Sequence, residues 1–182
     1  MNIFRIYDDP EESARHLCDT HCNKMLVESL QLLATCFTLE QLADEDCPRT
    51  QKGTSRRHFN PKHPSAVWTR ESTYNMDWVI FHTMELSRER IRRGMNPHFS
   101  ELFLNWVIKN ADYANVPENT ETPFRVAIND NMNCRKVENF TLLSPETQYK
   151  LYYRLDKPFA TWKQNRPKWM DYTPKQIIET YE

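Results

Sequence analysis

A chain of 182 residues with a net charge of −1 is long enough for one domain that buries roughly 70% of its unfolded surface, and its total charge points to no polyanionic partner. Only Gly53 and Gly94 are glycine, which excludes P-loop and dinucleotide-binding glycine motifs and leaves little material for tight hairpins. Five cysteines without a CxxC pair argue against a disulfide or zinc framework and fit reduced thiols in a cytoplasm; no apolar run is long enough to span a membrane.

Aromatic residues at 12% and scarce β-branched runs predict a mostly α fold. The expected architecture is one compact domain over residues 1–182, with about five helices around two long antiparallel helices and long irregular connections. Asn2 to Tyr7 reads as extended. Asp9-Pro10-Glu11-Glu12 is a helix start, with a cap, a proline suited to the first turn and acids at the positive end of the dipole. The spacing predicts a first helix from about Pro10 to Leu39. On its wheel His21, Lys24, Glu28 and Gln31 share an arc of about 80°, while Cys22, Leu26, Leu30 and Leu33 share an apolar one. The polar stripe is either a solvated face with a Lys–Glu pair or one wall of a site. Asp19 falls on the apolar arc and is expected to pair with an arginine from another element.

Residues 43–62 lack a periodic pattern, and their basic end, with Arg56 and Arg57, is either a phosphate contact or an ordinary solvated loop. His63-Pro64-Ser65 opens a second long helix that stops at Gly94. Trp68, Ser72, Asn75, Val79, His82 and Leu86 follow its period. Arg88, Arg90, Arg92 and Arg93 close it, a cluster that suits a helix C-terminus with or without a partner. A third helix is expected over about 100–111 and a fourth over 145–155, with an aperiodic stretch between them. From Lys150 to Tyr172 basic residues interleave with aromatics, among them Trp162, Lys163 and Arg166. That pattern suits either an unpaired strand of nucleic acid or a core that ties the C-terminus down. Thr173-Pro174 starts a last short helix.

Two chemistries fit these residues. His21, His63, His82, His98, Glu28 and Glu85 offer ligands for a metal hydrolase, although no HExxH or other diagnostic spacing is present. Alternatively, Lys24 on the rim of the apolar face is an amine whose pKa partial burial would lower. It would attack a sugar C1′ or a carbonyl, with Glu28 as base or charge stabiliser and His21 as proton shuttle.

Several motifs carry a resemblance. M-N-I-F is followed by H-x-x-K-M-x-x-E-x-x-Q-x-L (His21, Lys24, Met25, Glu28, Gln31, Leu33) and by H-P-S-x-x-W-x-R-x-S-x-x-N (His63 to Asn75). T-P-F-x-x-A (Thr122 to Ala127) and F-A-x-W-K with P-x-W (Phe159 to Trp169) complete the set. Together they resemble a group of small proteins of myovirus-type tailed phages. More distantly, the layout is similar to the phage pyrimidine-dimer DNA glycosylase/AP lyase family, with Glu89 to Gly94 resembling its helix-ending basic segment. That resemblance implies a nearly all-helical domain, an amino-terminal amine as nucleophile, a glutamate early in the first helix (Glu11, Glu12 or Glu28) and arginines on DNA. The chain departs from the family pattern at Asn2, where a small residue normally follows Met1; the amine is then that of Met1, is replaced by Lys24, or is lacking.

The resulting expectation is a DNA-base N-glycosylase/AP lyase with a polar cleft between the two long helices. Its catalytic residues would be His21, Lys24, Glu28, His63 and His82. Its DNA or nucleotide ligands would be Arg56, Arg57, Trp68, Arg70, Ser72, Asn75, Trp162, Lys163 and Arg166. No cofactor and no resident metal are assigned. A non-catalytic accessory or counter-defence protein and the metal hydrolase stand as alternatives.

Overall fold

Helix α1 (Pro10–Arg15) begins where its residues dictate, with Asp9 Oδ1 accepting from the Glu12 amide at 2.7 Å and Pro10 in the first position. The computed structural model describes residues 2–182. It does not continue this helix to Leu39. The chain leaves helical geometry at His16 to Cys18 and resumes as α2 (Asp19–Ala34); a Thr38–Gln41 capping box then starts α3 (Leu39–Ala43).

The cause of the first break lies far along the chain. The Arg93 guanidinium fills it, donating from Nη2 to the Arg15 carbonyl at 2.8 Å and from Nη1 to the Leu17 carbonyl at 2.9 Å and Asp19 Oδ1 at 3.0 Å. Carbonyls at a helix end have no partner within the helix, and a planar fork of donors suits them. The Arg93 Nε donates to Glu89 Oε1 at 2.9 Å, and both side chains are fully buried. Asp19 is thus paired with an arginine from another element, as its position on the apolar arc predicts.

The second long helix is also two, α4 (Pro64–Thr69) and α5 (Thr73–Arg92). Ser72 adopts an extended conformation and its hydroxyl accepts from the Asn75 amide at 3.1 Å, so it caps α5 afresh. Gly94 ends α5 in the left-handed region at φ +77°, with its amide on the Ile91 carbonyl and that of Met95 on Arg90. Helices α6 (Glu101–Lys109), α7 (Pro145–Asp156) and α8 (Pro174–Tyr181) follow close to their predicted bounds. The described residues therefore form eight α-helices and no strand, joined by long irregular connections. The mostly α class holds; the helix count exceeds five because both long helices are interrupted and a short one was hidden after Phe37. No helix among the described residues is long and apolar enough to cross a membrane.

Helices α2 and α5 run antiparallel. Asp19 and Cys22, at the start of α2, meet Arg93 and the Leu86 carbonyl, whereas Cys36, beyond its end, meets the Thr69 carbonyl just before α5. Their apolar faces share two clusters. One gathers Leu30, Leu33, Phe37, Trp68, Val79 and Phe103. The other gathers Phe4, Met25, Leu26, Leu86, Tyr153 and Trp169, bringing the N-terminal segment and the C-terminal third onto the same pair. Each such side chain contributes roughly 1.5–3 kcal/mol by leaving water.

Arg93→Met takes away the fully buried cation that faces Glu89, leaving that carboxylate only Arg92 and Asn165, uncaps α1, and should destabilise the protein by about 3 kcal/mol. Arg166→Met removes an exposed, solvent-screened pair with Asp171 and should leave stability nearly unchanged. Urea unfolding of the two variants measures the contrast.

Candidate active site

Burying Cys22, Leu26, Leu30 and Leu33 turns the opposite side of α2 outward. A groove runs along that side. At one end it is lined by Asn23, Lys24 and Glu28; past Val27 and Gln31 it deepens to a hollow of about 340 Å³ bounded by Arg56, Arg57, Phe59 and Phe99. That volume falls at the lower edge of small-molecule sites. The Lys24 Nζ stands 3.3 Å from Glu28 Oε1, with the lysine side chain 62% exposed and the glutamate 13%. The lysine expected to be partly buried is therefore in solvent. The carboxylate is the sheltered member.

The groove's outer wall is the long connection after α3. It is anchored rather than loose: a His58 ring nitrogen donates to the Phe37 carbonyl at 2.8 Å, and Gly53 turns the chain at φ +75°. Arg56 donates to the Pro48 carbonyl at 2.9 Å and lies 4.0 Å over the Phe103 ring, while Arg57 is exposed and Phe59 is 55% exposed. On the other side His98 Nδ1 accepts from the Ser100 amide at 3.1 Å, so the neutral ring carries its proton on Nε2. Burial holds the His98 pKa below its ordinary value, as does the charge of Arg90, against Glu101. His63 caps α4 by accepting from the Ser65 amide at 3.2 Å. Its pKa is lowered by burial, while the negative charge of Glu28 acts in the opposite direction.

Of the residues expected in a shared site, Lys24, Glu28, Arg56 and Arg57 line this groove, and His63 feels Glu28. The expected cleft between the two long helices does not form, because those helices pack on each other through apolar faces. His21 and His82 are interior residues. The His21 ring stacks on Phe4 at 4.4 Å and pairs with the Tyr153 hydroxyl; burial, then Lys157 and Lys24, push its pKa down to about 3. His82 stacks on Trp78 at 5.0 Å, neither of its nitrogens has a hydrogen-bond partner, and burial lowers its pKa to about 3. Such neutral, enclosed imidazoles have no route to a proton on a substrate.

The H-P-S-to-Asn75 motif is a folding device in this structure. Asn75 Nδ2 donates to the Trp68 carbonyl at 2.8 Å and to Thr122 Oγ1 at 2.7 Å, and the buried Trp68 donates from Nε1 to the Thr122 carbonyl at 3.0 Å. Ser72 is the α5 cap, and Arg70 donates to the Pro61 carbonyl at 2.8 Å. The C-terminal segment likewise closes the fold: Trp162 donates to the His16 carbonyl at 2.9 Å, the Lys163 amide donates to Asp19, and Arg166 forms a two-pronged pair with Asp171. Trp162 and Lys163 thus lie by the α1–α2 break, and none of the three residues lines the groove. The histidines and glutamates proposed as metal ligands do not assemble: the described residues hold no group of three or more His, Cys, Asp or Glu able to share an ion. Glu85 is engaged by Arg15, Arg88 and Arg92. The amine of Met1 lies outside the described residues. Phe59 and Phe99 were not foreseen in the site; the visible signal was an aromatic directly after Arg56-Arg57-His58.

The described residues are helical throughout their regular structure, with an amine–carboxylate pair in a groove rimmed by arginines and aromatics. Residues 1–101 match the family model described as pyrimidine dimer DNA glycosylase. The match covers more than half of the chain, from the N-terminal segment through α5 to the turn at His98, and the chain belongs to that family. No curated protein and no solved structure matches.

The buried histidines give a pH dependence. An unfolded His takes up a proton below pH about 6.5, while folded His82 stays neutral to about 3. The stability from keeping it neutral is therefore fully present above pH 6.5 and is lost as pH falls toward 3, at about 1.4 kcal/mol per unit. His82→Phe should cut the drop in stability between pH 7.5 and 5.0 by about 2 kcal/mol. Urea unfolding at the two pH values checks this; an unchanged drop contradicts it.

Proposed function

We propose that the protein is a DNA N-glycosylase with lyase activity, working in the groove along α2, with DNA containing pyrimidine dimers as substrate class. The observation that carries this reading is the Lys24–Glu28 pair, an exposed amine 3.3 Å from a sheltered carboxylate, inside the segment that matches the family. Base removal needs a nucleophile, a carboxylate, cations for phosphate and aromatic surface for an unstacked base. Lys24, Glu28, Arg56 with Arg57, and Phe59 with Phe99 supply these in one groove.

In the proposed reaction Glu28 takes a proton from Lys24, and the freed amine attacks C1′. The C1′–N bond breaks, its electron pair leaves with the base, and the base is protonated from solvent. Ring opening leaves an imine between Lys24 and the sugar. Loss of a C2′ proton then expels the 3′ phosphate by β-elimination, and water releases the enzyme. Glu28, facing the sugar, also stabilises positive charge developing at C1′.

The test is incubation with duplexes carrying a cyclobutane pyrimidine dimer or an abasic site, with borohydride present. The expected result is base release from the first and a covalent adduct on both that maps to Lys24 by mass spectrometry. Lys24→Ala should abolish the adduct, and Glu28→Gln should slow base release by roughly 10²–10⁴-fold. Neither release nor adduct on either duplex would sink the reading. An adduct mapping to the amino-terminal residue would move the nucleophile from Lys24 and leave the reaction standing.

A further inference from the structure

Arg90 is a buried cation without a counter-charge. It sits near the end of α5, is 7% exposed, and its Nε has no hydrogen-bond partner. Its guanidinium reaches only neutral acceptors: Asn23 Oδ1 and Met95 Sδ from Nη1, and the Asn96 carbonyl from Nη2 at 3.1 Å. Every other arginine at this end of the fold meets a carboxylate. Arg15 and Arg88 lie 3.3 and 3.4 Å from Glu85, and Arg92 and Arg93 lie 3.2 and 2.9 Å from Glu89. The nearby Glu101 is occupied by the Ser87 hydroxyl and the His98 amide. No ion pair joins Arg90 to any described carboxylate within 4.0 Å. Desolvating a charge with neutral partners alone is costly, and buried charges are ordinarily paired.

Two of its three neutral partners lead to the groove. Asn23 lines the groove beside Lys24. Asn96 precedes by two residues His98, which lines the same end and carries a ring proton on Nε2. Because the Asn23 carbonyl oxygen is taken by Arg90, its amide group offers donors only on the other side. The Asn23 amide and the His98 imidazole N–H therefore line one end of the groove, where Glu28 offsets the Lys24 ammonium and the guanidinium of Arg90 behind them is not offset.

We propose that this end of the groove, beside the Lys24–Glu28 pair, is an anion subsite that holds one phosphodiester group of a DNA strand, bound by Asn23 and His98, with Arg90 supplying the buried positive charge from behind. Arg90 is here a positioning residue. The inference rests on the glycosylase reading only in naming DNA as the source of the phosphate; the anion site itself stands on the unpaired guanidinium.

Inorganic phosphate added to the full chain, against chloride at matched ionic strength, tests the site without any reaction. Saturable NMR shifts of the Asn23 side-chain amide and the His98 ring are expected, with a rise in melting temperature. Asn23→Asp separates this from a structural role. The new carboxylate gives Arg90 its counter-charge and occupies the subsite, so melting temperature without phosphate should rise while the phosphate response disappears. Arg90→Gln should also lose the response, and Arg166→Gln, outside the groove lining, should keep it. No saturable response in the native protein, or an undiminished response in Asn23→Asp, overturns the subsite. With an undamaged duplex, Asn23→Asp should weaken binding on the order of ten-fold and lower the salt slope by about one. Unchanged duplex affinity beside a lost phosphate response overturns the assignment to DNA, because the site would then take free phosphate. Absence of base release alters none of these readouts and bears only on the glycosylase reading.

Discussion

The architecture depends on one guanidinium. Arg93 sits in the gap between α1 and α2, takes the carbonyls that the gap leaves open, and pairs with Glu89 and Asp19. Asp19 in turn receives the Lys163 amide, its own amide reaches the Thr161 carbonyl, and Glu89 accepts from Asn165 at 3.1 Å. Three stretches of chain that are remote in sequence are thereby fixed at one point. Such a buried network adds little net stability compared with a well-packed apolar core, but it is severely punished when one member is removed. Its effect here is to set where α2 starts and how it faces α5.

That setting determines the groove. With Cys22, Leu26 and Leu30 committed to α5 and to the N-terminal segment, α2 has only its Lys24–Glu28–Gln31 side left to present. The connection after α3 is pinned by His58 and Arg56, so it forms a wall instead of a free loop. The turn after Gly94 brings His98 and Phe99 to the other side. A helix with one polar edge becomes a groove because two irregular segments, each held by specific hydrogen bonds, border it.

Local signals carried much of this. Asp9-Pro10, Ser144-Pro145 and Thr173-Pro174 start helices by capping chemistry that involves only near neighbours, and Gly94 stops one for the same reason. The break at His16 to Cys18 was hidden because its cause lies more than seventy residues away. The break before Thr73 had a visible cue in Ser72, but the apolar period runs through it unbroken. Lys24, Glu28, Arg56 and Arg57 were legible as site candidates because exposed polar residues on a regular stripe need no tertiary knowledge. His21 and His82 were misplaced for the opposite reason: whether a histidine on a helix meets water or a ring depends on Phe4, Tyr153 and Trp78, which the helix's own period does not reveal.

On the proposed reading, nucleic acid lies along the outer edge of α2 and not on the basic, aromatic C-terminal segment. Backbone amide NMR of the full chain with a short duplex containing a reduced abasic site compares the two surfaces directly. The expected shifts centre on Asn23 to Gln31, Arg56 to Phe59 and His98 to Ser100, with little change from Lys157 to Tyr172. Shifts concentrated on Trp162, Lys163 and Arg166, with α2 undisturbed, would contradict that reading.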